Sequence, residues 1–138
     1  MVDATGIEDH IAAAAAGFEM DAAWMRSIVT PGILDAPGLT LYVGYVDGAP
    51  LATGLGVRTG RTIGVYNIAT APSARRRGLG RAMTARVIAD GVAAGCDVAV
   101  LQASDMGRPI YERMGFRTVV EYVGYVDPSR GPAGSGMR

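Results

Sequence analysis

Three runs of β-branched and aromatic residues follow one another between residues 40 and 70, and this succession constrains the fold most strongly. The runs are TLYVGYV, LATGLGVRT and TIGVYNIAT. Asp47-Gly48 separates the first two runs and is typical of a hairpin turn, and Gly60 separates the second run from the third. The sequence therefore predicts three consecutive antiparallel strands.

The segments after Pro72 alternate between helical and strand patterns. Apolar residues recur at helical spacing from Leu79 to Ile88, and Gly95 is the predicted end of this helix. The next segment, CDVAVLQA, is nearly continuously apolar, as a buried parallel strand is. A strand, a helix and a strand in this order predict a right-handed parallel crossover.

Helical segments also flank the strands. Residues 7–16 have high helix propensity with Gly17 as the predicted stop, and Asp21 is a candidate cap for a second helix that ends before Pro31. After the crossover, GRPIYERMG predicts a short helix ending at Gly115, and FRTVVEYVGYV predicts a last strand.

These elements predict one α/β (α+β) domain over residues 1–126, followed by a flexible Pro/Gly/Ser-rich tail over residues 127–138. The domain is expected to contain a mixed central sheet flanked by helices.

Composition argues against several classes of function. A net charge of zero disfavours binding to nucleic acid or to an anionic membrane, and no run reaches the ~20 apolar residues of a membrane span. The chain contains no lysine, which excludes a lysine Schiff base and a phosphate-loop lysine. Cys96 is the one cysteine and is predicted to be a small buried hydrophobe. An acidic start without a signal-peptide pattern favours a cytoplasmic protein.

The densest positive charge, RRRGLG, lies where a strand ends and a helix begins. Backbone N–H groups in the first turn of a helix have no partner within the helix and favour an anion, and glycines allow an anion to approach them. A diphosphate fits this arrangement. Neither GxxxxGK[ST] nor GxGxxG is present, so the two common nucleotide-binding loops are excluded. A solvated basic turn remains the alternative interpretation.

A second motif strengthens the functional interpretation. YNIATAPSARRRGLGRAM resembles the R/Q-x-x-G-x-G/A motif of the GNAT (GCN5-related N-acetyltransferase) family, with Arg75, Gly78 and Gly80 at its fixed positions. About thirty residues later, LQASDMGRPIYERMGFR resembles the next motif of the family through Tyr111 and the pair Gly115-Phe116. The resemblance covers residues 40–126 and implies a GNAT-like mixed sheet with shortened ends.

The resemblance also implies a site for acetyl-coenzyme A as co-substrate. The pyrophosphate would lie on the glycine loop, and the pantetheine arm would pair like an extra strand with the end of the strand before the loop. Ser104 stands where relatives often carry an asparagine that contacts the cofactor, and a helix cap is its alternative role. The implied cofactor-binding residues are Ile68, Ala69, Thr70, Arg75, Arg76, Arg77, Gly78, Leu79, Gly80, Arg81 and Ser104.

The implied reaction is direct attack of an amine on the thioester, with no covalent enzyme intermediate and no metal. Tyr111 matches the family tyrosine that protonates the leaving thiolate, and packing is its alternative role. No carboxylate stands where some relatives carry a base. Glu19, Asp21 and Asp105 are the nearest acids by sequence, and a cap or surface role is the better interpretation for each.

Three further expectations follow. The first two helices carry Phe18, Met20, Trp24 and Met25, which belong either to the core or to an apolar acceptor pocket. The short ends suggest a homodimer in which a second copy covers an open edge. Alternatives to an amine N-acetyltransferase are a non-catalytic coenzyme A-binding module and, less well supported by charge, a nucleic-acid-binding domain.

Overall fold

The computed structural model describes residues 1–3 and 6–125 of the chain. They divide between two compact units, Met1–Gln102 and the unit that begins at Ala103, and each is described here by itself. The elements of the first unit are α1 (Ile7–Phe18), α2 (Ala22–Ile28), a 3-10 turn (Pro31–Asp35), β1 (Leu39–Val46), β2 (Ala49–Thr59), β3 (Thr62–Thr70), a second 3-10 turn (Pro72–Ala74), α3 (Leu79–Ala93) and β4 (Val98–Leu101); the second unit contains α4 (Arg108–Arg113).

The four strands form one mixed sheet in the order β1-β2-β3-β4. The pairs β1–β2 and β2–β3 are antiparallel, which confirms the predicted meander. The pair β3–β4 is parallel, as the predicted crossover requires, and α3 connects the two strands. The parallel register is short: Thr62–Val65 of β3 lies opposite Val98–Leu101 of β4.

Helices cover both faces of this sheet. Successive side chains of a strand point to opposite faces, so the neighbours Leu41 and Tyr42 of β1 enter different cores. Leu41 packs with residues of α1 and α2, including Ile11 and Met25. Tyr42 packs on the other face with residues of α3, including Val87. The predicted mixed sheet flanked by helices is therefore confirmed.

The structure corrects the predicted end of α1. The helix continues through Gly17 to Phe18, and Glu19 forms its C-cap in the left-handed conformation (φ 55°). Gly17 faces β3 instead of stopping the helix: a Cβ atom at this position would lie 2.6 Å from the Cβ of Ala69. The sequence pattern gave the glycine a capping role because its packing partner is more than fifty residues away.

Two predicted strands also need correction. The β4 strand is four residues long, and Val98 and Val100 are exposed, so the expected fully buried strand is wrong. Cys96, which precedes β4, is buried as predicted. The predicted last strand is wrong over residues 116–125, where no strand forms; Val126 and the predicted tail lie outside the described residues. A strand needs a neighbour for its N–H and C=O groups, and the described part of the second unit offers none.

The remaining flanking elements agree with the sequence. Asp21 caps α2 by accepting hydrogen bonds from the backbone N–H groups of Ala23 and Trp24, at 2.7 and 3.2 Å. Gly115 follows α4 with a positive φ of 96°, as expected of a helix stop. Before α1, the N–H of Val2 donates to the carbonyl oxygen of Leu41 at 2.9 Å. Among the described residues, no helix combines the length and apolar character needed to cross a membrane.

Candidate functional site

The loop between β3 and α3 contains two residues with left-handed backbone conformation. Arg76 has φ 61°, and Gly78, the N-cap of α3, has φ 80°. Left-handed residues within a short turn direct successive backbone N–H groups toward one side, which forms a concave anion-binding nest. The predicted glycine loop therefore has the backbone shape that an anion site requires.

The first turn of α3 presents its amides without a competing side chain. Among the residues that the structure describes, no side chain caps the helix, and no acid lies in its first turn. The helical hydrogen bonds begin where Ala82 N–H donates to the Gly78 carbonyl at 3.0 Å. The amides of the first turn are therefore available to a ligand, and the helix dipole adds positive potential there. The residues that carry these amides are Leu79, Gly80 and Arg81.

The arginines of the loop divide into two kinds. Arg76, Arg77 and Arg81 are exposed and lie within or next to the loop in sequence, so they add positive charge near the nest. Exposed guanidinium groups near backbone amides suit phosphate oxygens, because each fork can donate two hydrogen bonds.

Arg75, by contrast, turns into the protein. Its Nε donates to the Thr70 carbonyl oxygen at 3.2 Å, and its Nη2 donates to the Gly17 carbonyl oxygen at 3.0 Å. The Glu19 carboxylate lies 3.4 Å from the same Nη2. Arg75 was expected to bind the cofactor, but its guanidinium joins the end of β3 to the end of α1.

The end of β3 has one strand neighbour. It pairs with β2 through Thr70, whereas its pairing with β4 stops at Val65. The N–H of Ala71 donates to the Leu51 carbonyl at 2.9 Å, so by the alternation of an antiparallel ladder the N–H and C=O of Thr70 face away from β2. The Thr70 carbonyl accordingly accepts from Arg75. In the described part of the chain, this edge is open to an amide-bearing ligand.

A β-bulge precedes this open edge, and sequence reasoning missed it. The register shifts so that Asn67 and Ile68 of β3 oppose Gly54 of β2, and Asn67 adopts a left-handed φ of 54°. The Thr53 hydroxyl donates to the Asn67 carbonyl at 2.8 Å. An asparagine inside a β-branched run was the available signal, because asparagine tolerates this conformation better than most residues.

The end of α1, the end of β3 and the glycine loop converge. Gly17 allows α1 to approach closely, since a Cβ atom there would lie 3.0 Å from the Thr70 backbone nitrogen. On the loop side, a Cβ atom at Gly80 would lie 3.8 Å from the Thr70 hydroxyl oxygen and 3.8 Å from the Ile68 side chain. The implied pyrophosphate and pantetheine positions are thus neighbours in one unit.

The candidate acids of the first unit have structural partners. The Asp21 carboxylate caps α2, which supports its predicted capping role, and Glu19 contacts Arg75. The apolar residues nearby are mostly core: Met25 is buried, and Phe18 and Met20 pack against its cluster, whereas Trp24 is half exposed. Among the described residues, no group of three His, Cys, Asp or Glu could hold a metal ion.

The second motif lies in the second unit. The Ser104 side chain accepts from Gly107 N–H at 3.2 Å, which supports its alternative role in the turn before α4. Tyr111 lies on α4 and packs edge-to-face against Phe116, with ring centroids 6.1 Å apart. Asp105 is exposed in the same turn. In the structure, the tyrosine of this motif therefore lies on a helix, and its Gly-Phe pair follows the end of that helix.

The comparisons with known proteins identify the family. The profile of the acetyltransferase (GNAT) domain matches residues 37–118, more than half of the chain. The chain therefore belongs to the GNAT family of acetyltransferases, as the resemblance implied. A search of curated proteins found no significant match.

Known structures share the fold. A GCN5-related N-acetyltransferase from Ralstonia eutropha is 25% identical, with a TM-score of 0.67 over 87% of this chain and 94% of that one. The aminoglycoside N-acetyltransferase AAC(6')-Iy, in complex with a bisubstrate analogue, is 16% identical, with a TM-score of 0.75 over 91% and 94%. A predicted acetyltransferase from Clostridium acetobutylicum, with acetyl-CoA, is 17% identical, with a TM-score of 0.70 over 91% and 92%.

Proposed function

We propose that the protein transfers an acetyl group from acetyl-coenzyme A to the amine of a small molecule or to an exposed amino group. One observation carries this proposal: the anion nest after β3 adjoins an open strand edge at Thr70. A diphosphate and an amide-bearing arm are joined in coenzyme A, so one molecule satisfies both features. Structural neighbours in complex with coenzyme A or acetyl-CoA have the same fold and support the proposal.

The donor would be held mainly by backbone groups. The pyrophosphate would accept from the amides of the loop and the first turn of α3, with the exposed arginines adding charge. The pantetheine amides would pair with Ile68, Ala69 and Thr70 as an added strand would. Arg75 would act indirectly by holding the Thr70 carbonyl. Ser104 would contact the cofactor in addition to its role in the turn before α4. The loop residues concerned are Arg76, Arg77, Gly78, Leu79, Gly80 and Arg81.

The chemistry would be a direct displacement. The neutral amine attacks the thioester carbonyl, a C–N bond forms, the C–S bond breaks, and the amine loses a proton to water or to a nearby acceptor. The Thr70 N–H would stabilise the negative charge that develops on the carbonyl oxygen. Tyr111 would donate its proton to the departing thiolate, as the family motif implies.

The first test is calorimetric titration of acetyl-coenzyme A into wild type, Gly78→Glu and Gly48→Glu. Gly78 and Gly48 share a φ of 80°, and a Cβ atom at either would meet nothing within 4 Å. Both variants therefore carry the same backbone strain and the same added charge, but only Gly78→Glu places a carboxylate in the nest. We expect a loss of at least about 100-fold in affinity for Gly78→Glu and wild-type binding for Gly48→Glu. If all three proteins bound acetyl-coenzyme A with equal affinity, the nest would not be part of the binding site.

The second test separates an enzyme from a non-catalytic coenzyme A-binding module. Tyr111→Phe removes the proposed proton donor while keeping the ring that packs against Phe116. With an amine panel as acceptors, we expect kcat to fall by about 100-fold, in the usual range for a general acid, and acetyl-coenzyme A binding to persist. Binding without turnover in the wild type would favour the binding module.

We also propose that the protein is a cytoplasmic homodimer. Acetyl-coenzyme A is an intracellular metabolite, which supports the location. Segment 116–125 supports the dimer, because it forms no strand and exposes large apolar side chains, as interaction sites do. Light scattering should give twice the mass of one chain, and a single-chain mass at micromolar concentration would contradict the dimer. The exposed side chains are Val119, Val120, Tyr122, Val123 and Tyr125.

A further inference from the structure

His10 is fully buried on α1, and the proposed chemistry does not use it. Its Nδ1 lies 3.0 Å from the carbonyl oxygen of Tyr42 in β1, and its Nε2 lies 3.5 Å from Nδ2 of Asn67 in β3. A buried imidazole must find hydrogen-bond partners or lose stability, and this ring has a candidate partner at each nitrogen.

The two partners determine the state of the ring. A carbonyl oxygen can only accept, so the Nδ1 of His10 carries the proton and donates to Tyr42. The Nε2 is then left with a lone pair, which can accept from the side-chain amide of Asn67. Burial lowers the pKa of His10, which agrees with a neutral ring.

Asn67, the residue that His10 contacts, belongs to the β-bulge of β3. Asn67 has a left-handed φ of 54°, a conformation that costs free energy for any residue with a Cβ and persists where its surroundings hold it. Two side chains of the described residues lie within hydrogen-bond distance of it: the fully buried Thr53 donates to its backbone carbonyl at 2.8 Å, and His10 contacts its side chain. Backbone and side chain of the bulged residue are thus both restrained.

The bulge lies next to the point where the pairing of β3 with β4 ends. Before it, Thr62–Val65 pairs with β4; after it, Ile68–Thr70 does not. Bulges bend a strand and redirect its hydrogen-bonding groups. We propose that His10 is a positioning residue that holds the bulge at Asn67 so that the Ile68–Thr70 edge is shaped to pair with the pantetheine arm of the donor. This inference rests on the proposed function.

A double-mutant cycle tests the inference by measuring acetyl-coenzyme A affinity in wild type, His10→Leu, Asn67→Gly and the double variant. Leucine fills a similar volume without a donor or acceptor, and glycine accepts the positive φ but loses the contact. We expect each single variant to bind about tenfold more weakly, the factor associated with one hydrogen bond, and the double variant to be no weaker than either. That coupling is expected only if His10 acts through Asn67.

Two further variants separate positioning from general stability. His10→Gln supplies an amide donor and an amide acceptor, so we expect affinity within about threefold of wild type. Gly91→Ala crowds Ile63 at 2.7 Å on the other half of β3, so it should lower the melting temperature and leave the affinity unchanged. If His10→Leu does not fold, Asn67→Gly and His10→Gln decide the question alone.

The outcomes are distinct. Wild-type affinity in folded His10→Leu and Asn67→Gly, or losses that multiply to about 100-fold in the double variant, would overturn the positioning role and leave the proposed function standing. Absence of binding by folded wild type would overturn the proposed function and, with it, this inference.

Discussion

The two halves of β3 differ in what their edges do. Thr62–Val65 has a strand on each side, β2 and β4, and Ile63 and Val65 are buried in the core beneath α3. Tyr66–Thr70 has β2 on one side and, in the described part of the chain, no strand on the other. The first half therefore satisfies its backbone groups within the sheet, whereas in the second half the Thr70 carbonyl, which faces away from β2, accepts from the Arg75 side chain instead of from a strand.

In the proposed site, one strand therefore serves both the stability of the fold and the binding of the donor, and a bulge lies between the two parts. Both halves belong to the same β-branched run, and both pack against a helix through a glycine: Gly91 of α3 at Ile63, and Gly17 of α1 at Ala69 and Thr70. The helix approaches the strand about equally closely in both places. Crowding should affect acetyl-coenzyme A affinity only in the second half, because only that half adjoins the anion nest.

Among the tests of this contrast between the two halves of β3, the largest expected effect comes from replacing these glycines with alanine. A Cβ at Gly17 would lie 2.6 Å from the Ala69 Cβ and 3.0 Å from the Thr70 nitrogen, and one at Gly91 would lie 2.7 Å from the Ile63 Cβ. Crowding of this kind costs about 1–3 kcal/mol, partly offset by the higher helix propensity of alanine. We expect both variants to melt at lower temperature, and Gly17→Ala alone to lose about tenfold or more in acetyl-coenzyme A affinity.

Thermal melts and calorimetry on the same two preparations decide the comparison. The contrast between the halves would fail if Gly91→Ala weakened donor binding as much as Gly17→Ala, since the bulge would then not separate them.

Two neighbouring arginines, Arg75 and Arg76, test the comparison further at the end of the second half of β3. Arg75 donates to the carbonyls of Thr70 and Gly17, whereas Arg76 is exposed. We expect Arg75→Met to lower the free energy of unfolding by about 1 kcal/mol, because Arg75 is partly exposed and its hydrogen bonds compete with water. Arg76→Met should leave stability unchanged and reduce donor affinity through lost charge.

Denaturant unfolding and donor titration measure these two quantities separately. A stability loss for Arg76→Met, or none for Arg75→Met, would contradict the assignment of Arg75 as the internal connection.

The smallest expected effect is on pH dependence. Burial lowers the pKa of His10 below its ordinary value of about 6.5, so the unfolded chain binds a proton more readily than the folded one. The stabilisation is complete above pH about 6.5 and is lost as the pH falls through the lower, folded pKa. The melting temperature should therefore decrease on acidification from pH 7 to pH 5.

His10 is the one histidine of the chain, which makes this window diagnostic. The matched variant His10→Gln should show a flatter profile between pH 7 and pH 5. Below this window the carboxylates contribute as well: the hydrogen bond from Arg26 lowers the pKa of Glu8, so its protonation also destabilises the fold. Identical slopes for both proteins would contradict a buried neutral His10.

Much of the fold and part of the candidate site could be predicted from local pattern. Turn residues and alternating apolar runs predicted β1, β2 and β3, and the spacing after Gly78 predicted α3. The anion nest could be predicted because the backbone conformation of a glycine loop and of a helix start depends on residues that are close together in the sequence. By contrast, the predicted strand over residues 116–125 was wrong, since strand formation depends on a neighbour that local pattern does not supply.

The sequence by itself determined the order of the elements, the family motifs and the positive charge of the loop, because each depends on residues close together in the chain. Tertiary structure alone decided that Gly17 is a packing site, that Arg75 faces inward, and that His10 meets Asn67 at a bulge. These contacts join residues more than fifty positions apart, and their hydrogen bonds and steric limits exist only once α1 packs on β3.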